Sequence, residues 1–503
     1  MRPIQHYLRP LGYLALYSLQ LALLFFLGIA LHRTPFLAHS FTVIPILTVL
    51  YIFNTPDDQA FKLSWIVVIF LFPVLGSLFY LFIGGHHITT RTKKAMRPSA
   101  HHLKETLSPL HKAKIHAPPD AHTQIHYIQQ HSSTPCSSNT KTTYLPSGEA
   151  TFHAMLKAIK SAKRYIFLEY FILSRGVFWQ SILDLLLEKV QEGVEIRLIY
   201  DGIGSALTLP RNYHKTLTSQ GIQTQIFNPV PLVLSKSIHN RDHRKLLLID
   251  GITAFTGGLN LADEYANLAP HKPHWKDSTL HLEGESAWHM TILFLSMWEY
   301  CSKVKTPYTN FQPKTAFHFP NQGLIAPYAD TPLDRELVGL TVYFNLITKA
   351  RHSIYITTPY LILDATTTNA LCNSAKSGVD VVIITPHIPD KKYVFHLTRA
   401  HYPHLLRAGV KIFEYSKGFI HSKLFLVDNT YATVSTVNLD YRSLFHHFEN
   451  GIWMCNTPSL EAIAQDFRTT LTHCQEVTLE DTQPKNPLLS LYHSILRIFS
   501  PLM

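Results

Sequence analysis

"HRKLLLID" (residues 243–250) and "HSKLFLVD" (421–428) share the pattern His-x-Lys-x-x-x-x-Asp, each inside a run that otherwise reads as a buried strand. On an extended chain residues i and i+2 project from one face, so His243 and Lys245 point together, as do His421 and Lys423. Asp250 and Asp428 follow at the strand ends, in the turns "IDGI" and "VDNT". One such pattern would mean little in a chain with 31 histidines. Two in register mean more. His243 and His421, Lys245 and Lys423, Asp250 and Asp428, and Asn260 and Asn438 are each 178 positions apart.

The surroundings repeat as well. Before the first motif, "FHAMLKAIKSAK" is amphipathic and "YIFLEYFIL" is strand-like; "WQSILDLLLEKVQEGV" then reads as a helix and "EIRLIYD" as a strand. Before the second, "VYFNLITKARHSIYITTPYLI", "NALCNSAKSGVDVVIIT" and "RAHYPHLLRAGVKIFEY" each read as helix then strand. An internal duplication of roughly 180 residues organises the chain. Alternating helices and strands predict an α/β fold, each half a mixed sheet flanked by helices.

Each half offers an imidazole, an ammonium and a carboxamide, the last from the returning strand that carries Asn260 or Asn438. Paired about a pseudo-twofold axis, the halves offer two of each, a set that suits a phosphodiester. Lysines and asparagines can hold the non-bridging oxygens through a five-coordinate transition state. One neutral imidazole can attack phosphorus while the other, protonated, donates to the leaving alcohol. Carboxylates should orient the rings, and Asp277 in "HWKDSTL" and Glu449 in "FHHFENG" are the candidates. No metal is needed and no cofactor is expected. The alternative, two strands whose histidines only satisfy hydrogen bonds, leaves the shared register unexplained.

The N-terminus differs in character. Residues 13–31 and 63–85 carry no charge and are long enough to cross a bilayer as helices, with a shorter apolar run at 41–53. Two or three spans are therefore expected. The net charge of +11 points to anionic partners. Beside a membrane anchor, an anionic lipid surface fits that charge better than nucleic acid. Five scattered cysteines without CxxC spacing suggest neither a disulfide framework nor a zinc site. Residues 86–143, rich in His, Lys, Pro and Ser, read as a polar linker with one or two short helices. At the other end "NPLLSLYHSILRIFSPLM" reads as an apolar helix.

The paired motifs are the signature of the phospholipase D superfamily, and the chain resembles bacterial cardiolipin synthases of that type from about residue 50 onward. The resemblance rests on "KLSWIVVIFLFPVLGSLFYLFIGG", "HNRDHRKLLLIDGITAFTGGLNLADEY", "YITTPYLI" and "GFIHSKLFLVDNTYATVSTVNLDYRSLFHHFENG". Lys276 stands where the family usually has arginine, and Ser435 where it usually has glycine. The resemblance implies two phospholipase D-like α/β domains forming one pseudo-twofold site. Expected divisions are a membrane anchor (1–85), the linker (86–143), the two domains (144–315 and 316–485) and the terminal helix (486–503).

It further implies a phosphatidyltransferase of the cytoplasmic (inner) membrane, multi-pass, with its catalytic part on the cytoplasmic side. Its reaction would join two phosphatidylglycerol molecules with release of glycerol, through a phosphohistidine. Catalytic residues would be His243, Lys245, Asp250, His421, Lys423 and Asp428, with His243 as nucleophile and His421 as acid. Asn260 and Asn438 would bind substrate, and Asp277 and Glu449 would orient the histidines. Hydrolysis of a phospholipid to phosphatidic acid stays open, since water and alcohol compete for one intermediate. A catalytically idle membrane scaffold is the rival from outside enzymes, and the intact His and Lys of both motifs count against it.

Overall fold

Leu246–Ile249 place apolar side chains on both faces, as suits a strand covered on both sides. The computed structural model describes residues 14–23, 25–26, 29, 35–85, 88–111, 117–230, 236–320, 322–483 and 486–502. In the first half the strands are β1 (Thr140–Leu145), β2 (Tyr165–Tyr170), β3 (Glu195–Asp201), β4 (Gln223–Phe227), β5 (Lys245–Ile249), β6 (Thr253–Gly257), β7 (His274–Lys276) and β8 (Thr279–Gly284). Seven of them form one sheet in the order β1-β8-β6-β5-β2-β3-β4, so the first motif lies at its centre. β2, β3 and β4 run parallel; the other pairings are antiparallel.

The second half supplies β9 (Leu324–Asp330), β10 (Ser353–Thr357), β11 (Asp380–Pro386), β12 (Lys411–Tyr415), β13 (Gly418–Ile420), β14 (Leu424–Val427), β15 (Tyr431–Ser435), β16 (Glu449–Cys455) and β17 (Cys474–Val477). Its sheet runs β17-β12-β11-β10-β14-β15-β16-β9. Read from the other end, this is the first sheet again with β17 added at one edge. β14, the second motif strand, takes the place of β5. The duplicated α/β architecture expected from the sequence is present.

The halves share a core. The helix Glu285–Ser302 is apolar around most of its circumference and buried along most of its length, as such a helix must be. Its Met290 and Phe294 join Leu246 and Leu248 of β5, Leu424 and Leu426 of β14, and Phe467 of the helix Ser459–Leu471 in one apolar cluster. Each such side chain is worth roughly 1.5–3 kcal/mol when buried, so the two halves cannot part cheaply.

The N-terminal region departs from expectation. Residues 63–85 do not form one span. Pro73 lacks an N–H and pushes Phe72 out of helical geometry (φ −135, ψ 76), so the run breaks into helices Gln59–Leu71 and Pro73–Ile83 of 13 and 11 residues. They pack on each other and on the helix Pro35–Asn54, burying Ile52, Phe61, Trp65, Ile69 and Tyr80. Among the described residues no helix is long and apolar enough to cross a membrane, and residues 13, 24, 27, 28, 30 and 31 of the expected first span, 13–31, lie outside them. The expected transmembrane helices and multi-pass placement therefore have no support in the structure.

The stretch expected to be a polar linker contributes to the core instead. The 18-residue helix Thr90–Leu107 buries Met96 and Leu107 in the shared cluster. The helix Pro119–His131 buries Ala121, Ile125 and Ile128 beneath the second sheet, and Gln124 accepts from the Trp453 indole N–H at 3.0 Å. Net hydrophilicity hid the few apolar positions that dock these helices.

Candidate active site

Each motif is threaded into the opposite half. Asp242 pairs in parallel with Phe448, and the His243 N–H donates to the Phe448 carbonyl at 2.9 Å. In the same way β13, which leads into the second motif, pairs in parallel with β7, and the His421 N–H donates to the Lys276 carbonyl at 2.7 Å. The residues following those carbonyls are Glu449 and Asp277. Glu449 accepts from His243 Nδ1 at 2.8 Å, and Asp277 accepts from His421 Nδ1 at 2.7 Å. Each half thus lends a carboxylate to the other's imidazole and leaves that ring's Nε2 for chemistry.

All four groups are buried, and the carboxylates are held in turn. The Ser443 hydroxyl donates to Glu449 at 2.6 Å and accepts the Asn438 N–H at 3.1 Å, while Thr436 donates to the other Glu449 oxygen. The Ser278 N–H donates to Asp277 at 2.8 Å. Lys245 and Lys423 are 1% and 2% exposed. Their ammonium groups donate to the carbonyls of His243 and His421, and Lys423 Nζ also lies 3.1 Å from His421 Nε2. Among the described residues neither ammonium is within salt-bridge distance of a carboxylate.

The electrostatics follow from two buried cations facing two imidazoles. Burial lowers Lys245 to about 7 and Lys423 to about 8. Burial also lowers His421 to about 4, reinforced by Lys423, and holds His243 well below the usual range, reinforced by Lys245, Lys423 and His421. Asp277 resists its own burial because His421 and Lys423 favour its charged form, leaving it below the usual carboxylate range. An anionic phosphodiester between the lysines would raise both histidines and both lysines, moving the imidazoles toward the range useful for acid–base work.

Three sequence expectations need correction. Asp250 and Asp428 stand at the far ends of their strands, roughly 20 Å from their histidines by strand rise. Both sit in the left-handed region (φ 55 and 51). The Asp250 carboxylate accepts the N–H groups of Lys163, Arg164 and Tyr165, and that of Asp428 accepts those of Arg351, His352 and Ser353, all at 2.8 Å. They fasten the start of β2 and β10 to the motif strands and do not reach the site. Asn260 is also committed: its oxygen accepts the Ile172 N–H at 3.1 Å and its amide donates to the Tyr265 hydroxyl at 2.8 Å. Asn438 is buried beside the site with its side-chain oxygen unpartnered. Lys276, the departure from the family's arginine, is turned away into an ion pair with Asp466 at 2.7 Å.

Sequence reasoning missed the walls of the site. Phe171 and His447 flank His243, with ring centroids 5.0 and 5.3 Å away. Tyr265, Trp275 and Phe419 flank His421 at 5.1, 5.9 and 5.9 Å. The doubled histidine in "FHHFENG" was the available signal for His447. His243, His447 and Glu449 also bring three donor atoms within 4.8 Å of one another, close enough to hold a metal ion, although doing so would divert His243 Nδ1 from Glu449.

The fold and the paired sites define a chain of the phospholipase D-like class, and comparison with known proteins narrows it. A family profile described as cardiolipin synthase, PLD-like domain, matches residues 155–269 and 343–471, and one described as phospholipase D-nuclease N-terminal matches 42–85. A cardiolipin synthase of Halalkalibacterium halodurans is 33% identical over 92% of this chain and 94% of its own length. An uncharacterized protein of Streptococcus mutans is 40% identical over 91% of this chain and 99% of its own. Among solved structures, a phosphatidylserine synthase of Haemophilus influenzae matches with a TM-score of 0.56 at 15% identity, covering 72% of this chain and 93% of that one, a likeness of fold. The chain belongs to the cardiolipin synthase family of phospholipase D-type enzymes.

Proposed function

We propose that this enzyme joins two phosphatidylglycerol molecules into cardiolipin and releases glycerol through a phosphohistidine. The observation that carries this reading is the pair of imidazoles, each held by the other half's carboxylate, beside two buried ammonium groups without a carboxylate partner. In the first step His243 Nε2 forms a bond to phosphorus of the donor lipid as the bond from phosphorus to the glycerol headgroup oxygen breaks. His421, protonated, gives its proton to that oxygen. In the second step neutral His421 takes the proton of a headgroup hydroxyl on the acceptor lipid. The resulting oxygen attacks phosphorus and the P–N bond breaks, restoring both histidines. Lys245 and Lys423 hold the non-bridging oxygens throughout, which lowers the cost of the five-coordinate state. The enzyme works at a lipid surface, where its acceptor is concentrated.

The test uses purified protein, phosphatidylglycerol vesicles and a chelator. Cardiolipin and glycerol should appear in equal amounts, and only while both His243 and His421 are present. Phosphatidic acid in place of cardiolipin would make the enzyme a hydrolase.

A further inference from the structure

Three helices from distant parts of the chain meet beside the second motif. Ala60 of Gln59–Leu71, Val394 and Leu397 of Lys392–Arg407, and Leu496 of Pro487–Phe499 pack together with Tyr441 and Phe445. Tyr441 and Phe445 bound the short helix that follows Asn438 and holds Ser443, the donor to Glu449. The chain's two ends are also tied directly, since the Ser64 hydroxyl donates to the Ile498 carbonyl at 2.6 Å. The His396 ring meets Tyr492 edge-on at 5.7 Å.

The outer face of this cluster is apolar and open. On the terminal helix Leu488, Leu491, Ile495 and Ile498 recur at helical spacing and are 77%, 58%, 45% and 41% exposed, whereas Leu496 faces inward. On the neighbouring hairpin Leu63, Phe70 and Phe72 are exposed. Elsewhere in the described chain, away from the two ends, large exposed hydrophobics are few, such as Leu110 and Val304. None of the three helices contains an Asp or Glu, while Lys392, Arg407 and Arg497 on them are exposed; the nearest carboxylates in sequence are Asp58, which caps the first helix, and Asp390, 3.8 Å from Lys391 just before the second. An apolar face built from helices that carry exposed cations and no carboxylate is complementary to an anionic bilayer surface.

We infer that the terminal helix Pro487–Phe499 lies in the headgroup layer of an anionic membrane and, with the Gln59–Leu71 helix, seats the active site against its lipid substrates. This rests on the proposed lipid chemistry. It adds a second docking element at the opposite end of the chain from the N-terminal profile match, one apolar cluster away from Asn438 and Glu449.

The test places an environment-sensitive fluorophore on Leu491→Cys in the full-length protein, with wild-type protein labelled in parallel as the blank. Vesicles containing phosphatidylglycerol should shift the emission to the blue, and lipids with a nitroxide high on the acyl chain should quench it. An unshifted, unquenched label overturns the inference. Equal quenching in purely zwitterionic vesicles overturns the electrostatic part. A variant combining Leu488→Ser, Leu491→Ser and Ile495→Ser, all at exposed positions, should lose roughly tenfold in kcat/KM on vesicles and keep wild-type turnover of detergent-dispersed lipid. Equal loss in both assays would mean the helix supports the fold rather than docking. A wild-type enzyme that makes cardiolipin neither on vesicles nor in detergent would refute the functional reading while leaving the fluorescence result to judge the docking.

Discussion

The two halves carry the same motif on the same strand of the same sheet, yet what lies behind the two histidines differs. Glu169 of β2 and Thr357 of β10 are equivalent: each faces the first apolar residue of the adjacent motif strand, Leu246 or Leu424. In the first half Glu169 sits with Asp242 and Arg244 in a buried charged group, the Arg244 guanidinium 3.6 Å from Glu169. In the second half the matching positions are Thr357, Ile420 and Ser422, with a hydroxyl–hydroxyl contact of 2.8 Å between Thr357 and Ser422. In front, His243 meets His447 and Phe171, whereas His421 meets Tyr265, Trp275 and Phe419. Features that cross between halves, the carbonyl and carboxylate each lends the other, are symmetric. Features internal to a half have diverged, and there the two imidazoles can acquire different duties.

The largest effects should come from asking which imidazole attacks. His243→Ala and His421→Ala are each expected to lower turnover by about 1,000-fold or more. They should differ in what accumulates. With 32P-labelled phosphatidylglycerol, His421→Ala retains a nucleophile without its acid and should trap labelled protein, while His243→Ala should trap none. The reverse pattern would swap the assignment, and label on neither would remove the covalent intermediate.

The exchanged carboxylates should come next. Glu449→Gln and Asp277→Asn leave the rings in place but alter tautomer and basicity, and each should cost roughly 10- to 100-fold in kcat with little change in KM. Because each acts on the opposite half, Glu449→Gln combined with His243→Ala should be no worse than His243→Ala alone. Additive losses would show that Glu449 also acts elsewhere.

The charged group behind His243 tests whether the asymmetry bears on stability. Burial pushes Glu169 well above the usual range and raises Asp242 as well, with Arg244 opposing both. Arg244→Met alone should cost about 3–5 kcal/mol in urea denaturation by stranding those carboxyls. Copying the second half into the first, with Glu169→Thr, Asp242→Ile and Arg244→Ser together, should fall within about 1–2 kcal/mol of wild type. A triple variant as unstable as Arg244→Met would mean that the surrounding packing has adapted to the charges.

The repeat made the sheets legible. Motif strands and flanking helices could be placed because the 178-residue register ties the motif residues to their counterparts, whereas the carboxylates Asp277 and Glu449 stand outside that register and are legible only from the stretches "HWKDSTL" and "FHHFENG". What failed was what the register cannot report, namely distance along a strand, side-chain partners and helix breaks. The motif aspartates look like site residues in one dimension because strand length is invisible in a motif. Asn260 looks free because the N–H its oxygen accepts, that of Ile172, lies 88 residues away in sequence. The apolar run 63–85 passes every test of hydrophobic length, but Pro73 divides it. His447 is marked only by the doubled histidine of "FHHFENG" and is brought to the site by the turn before β16.

The finest comparison is between the two lysines. Burial holds Lys245 at about 7 and Lys423 at about 8, so in free enzyme each loses its charge as pH rises through that value, Lys245 first. An anionic donor lipid is then held less well, and kcat/KM should fall several-fold between about pH 7 and 9. Bound phosphodiester raises both lysines, so kcat at saturation should be flatter over the same window. Lys245→Arg, which keeps its charge, should straighten the kcat/KM limb more than Lys423→Arg does. Stability should move the other way. Lysines in the unfolded chain stay protonated to about pH 10.4, so the unfolded state binds more protons between the two values and stability should rise with pH there. Lys245→Met should therefore be inactive yet melt higher by about 2–4 °C near pH 7, where holding an unpaired ammonium in the interior is a standing cost. If Lys423→Met gains more than Lys245→Met, the deeper electrostatic strain lies in the second half, and Lys423 rather than Lys245 is the first to lose its proton.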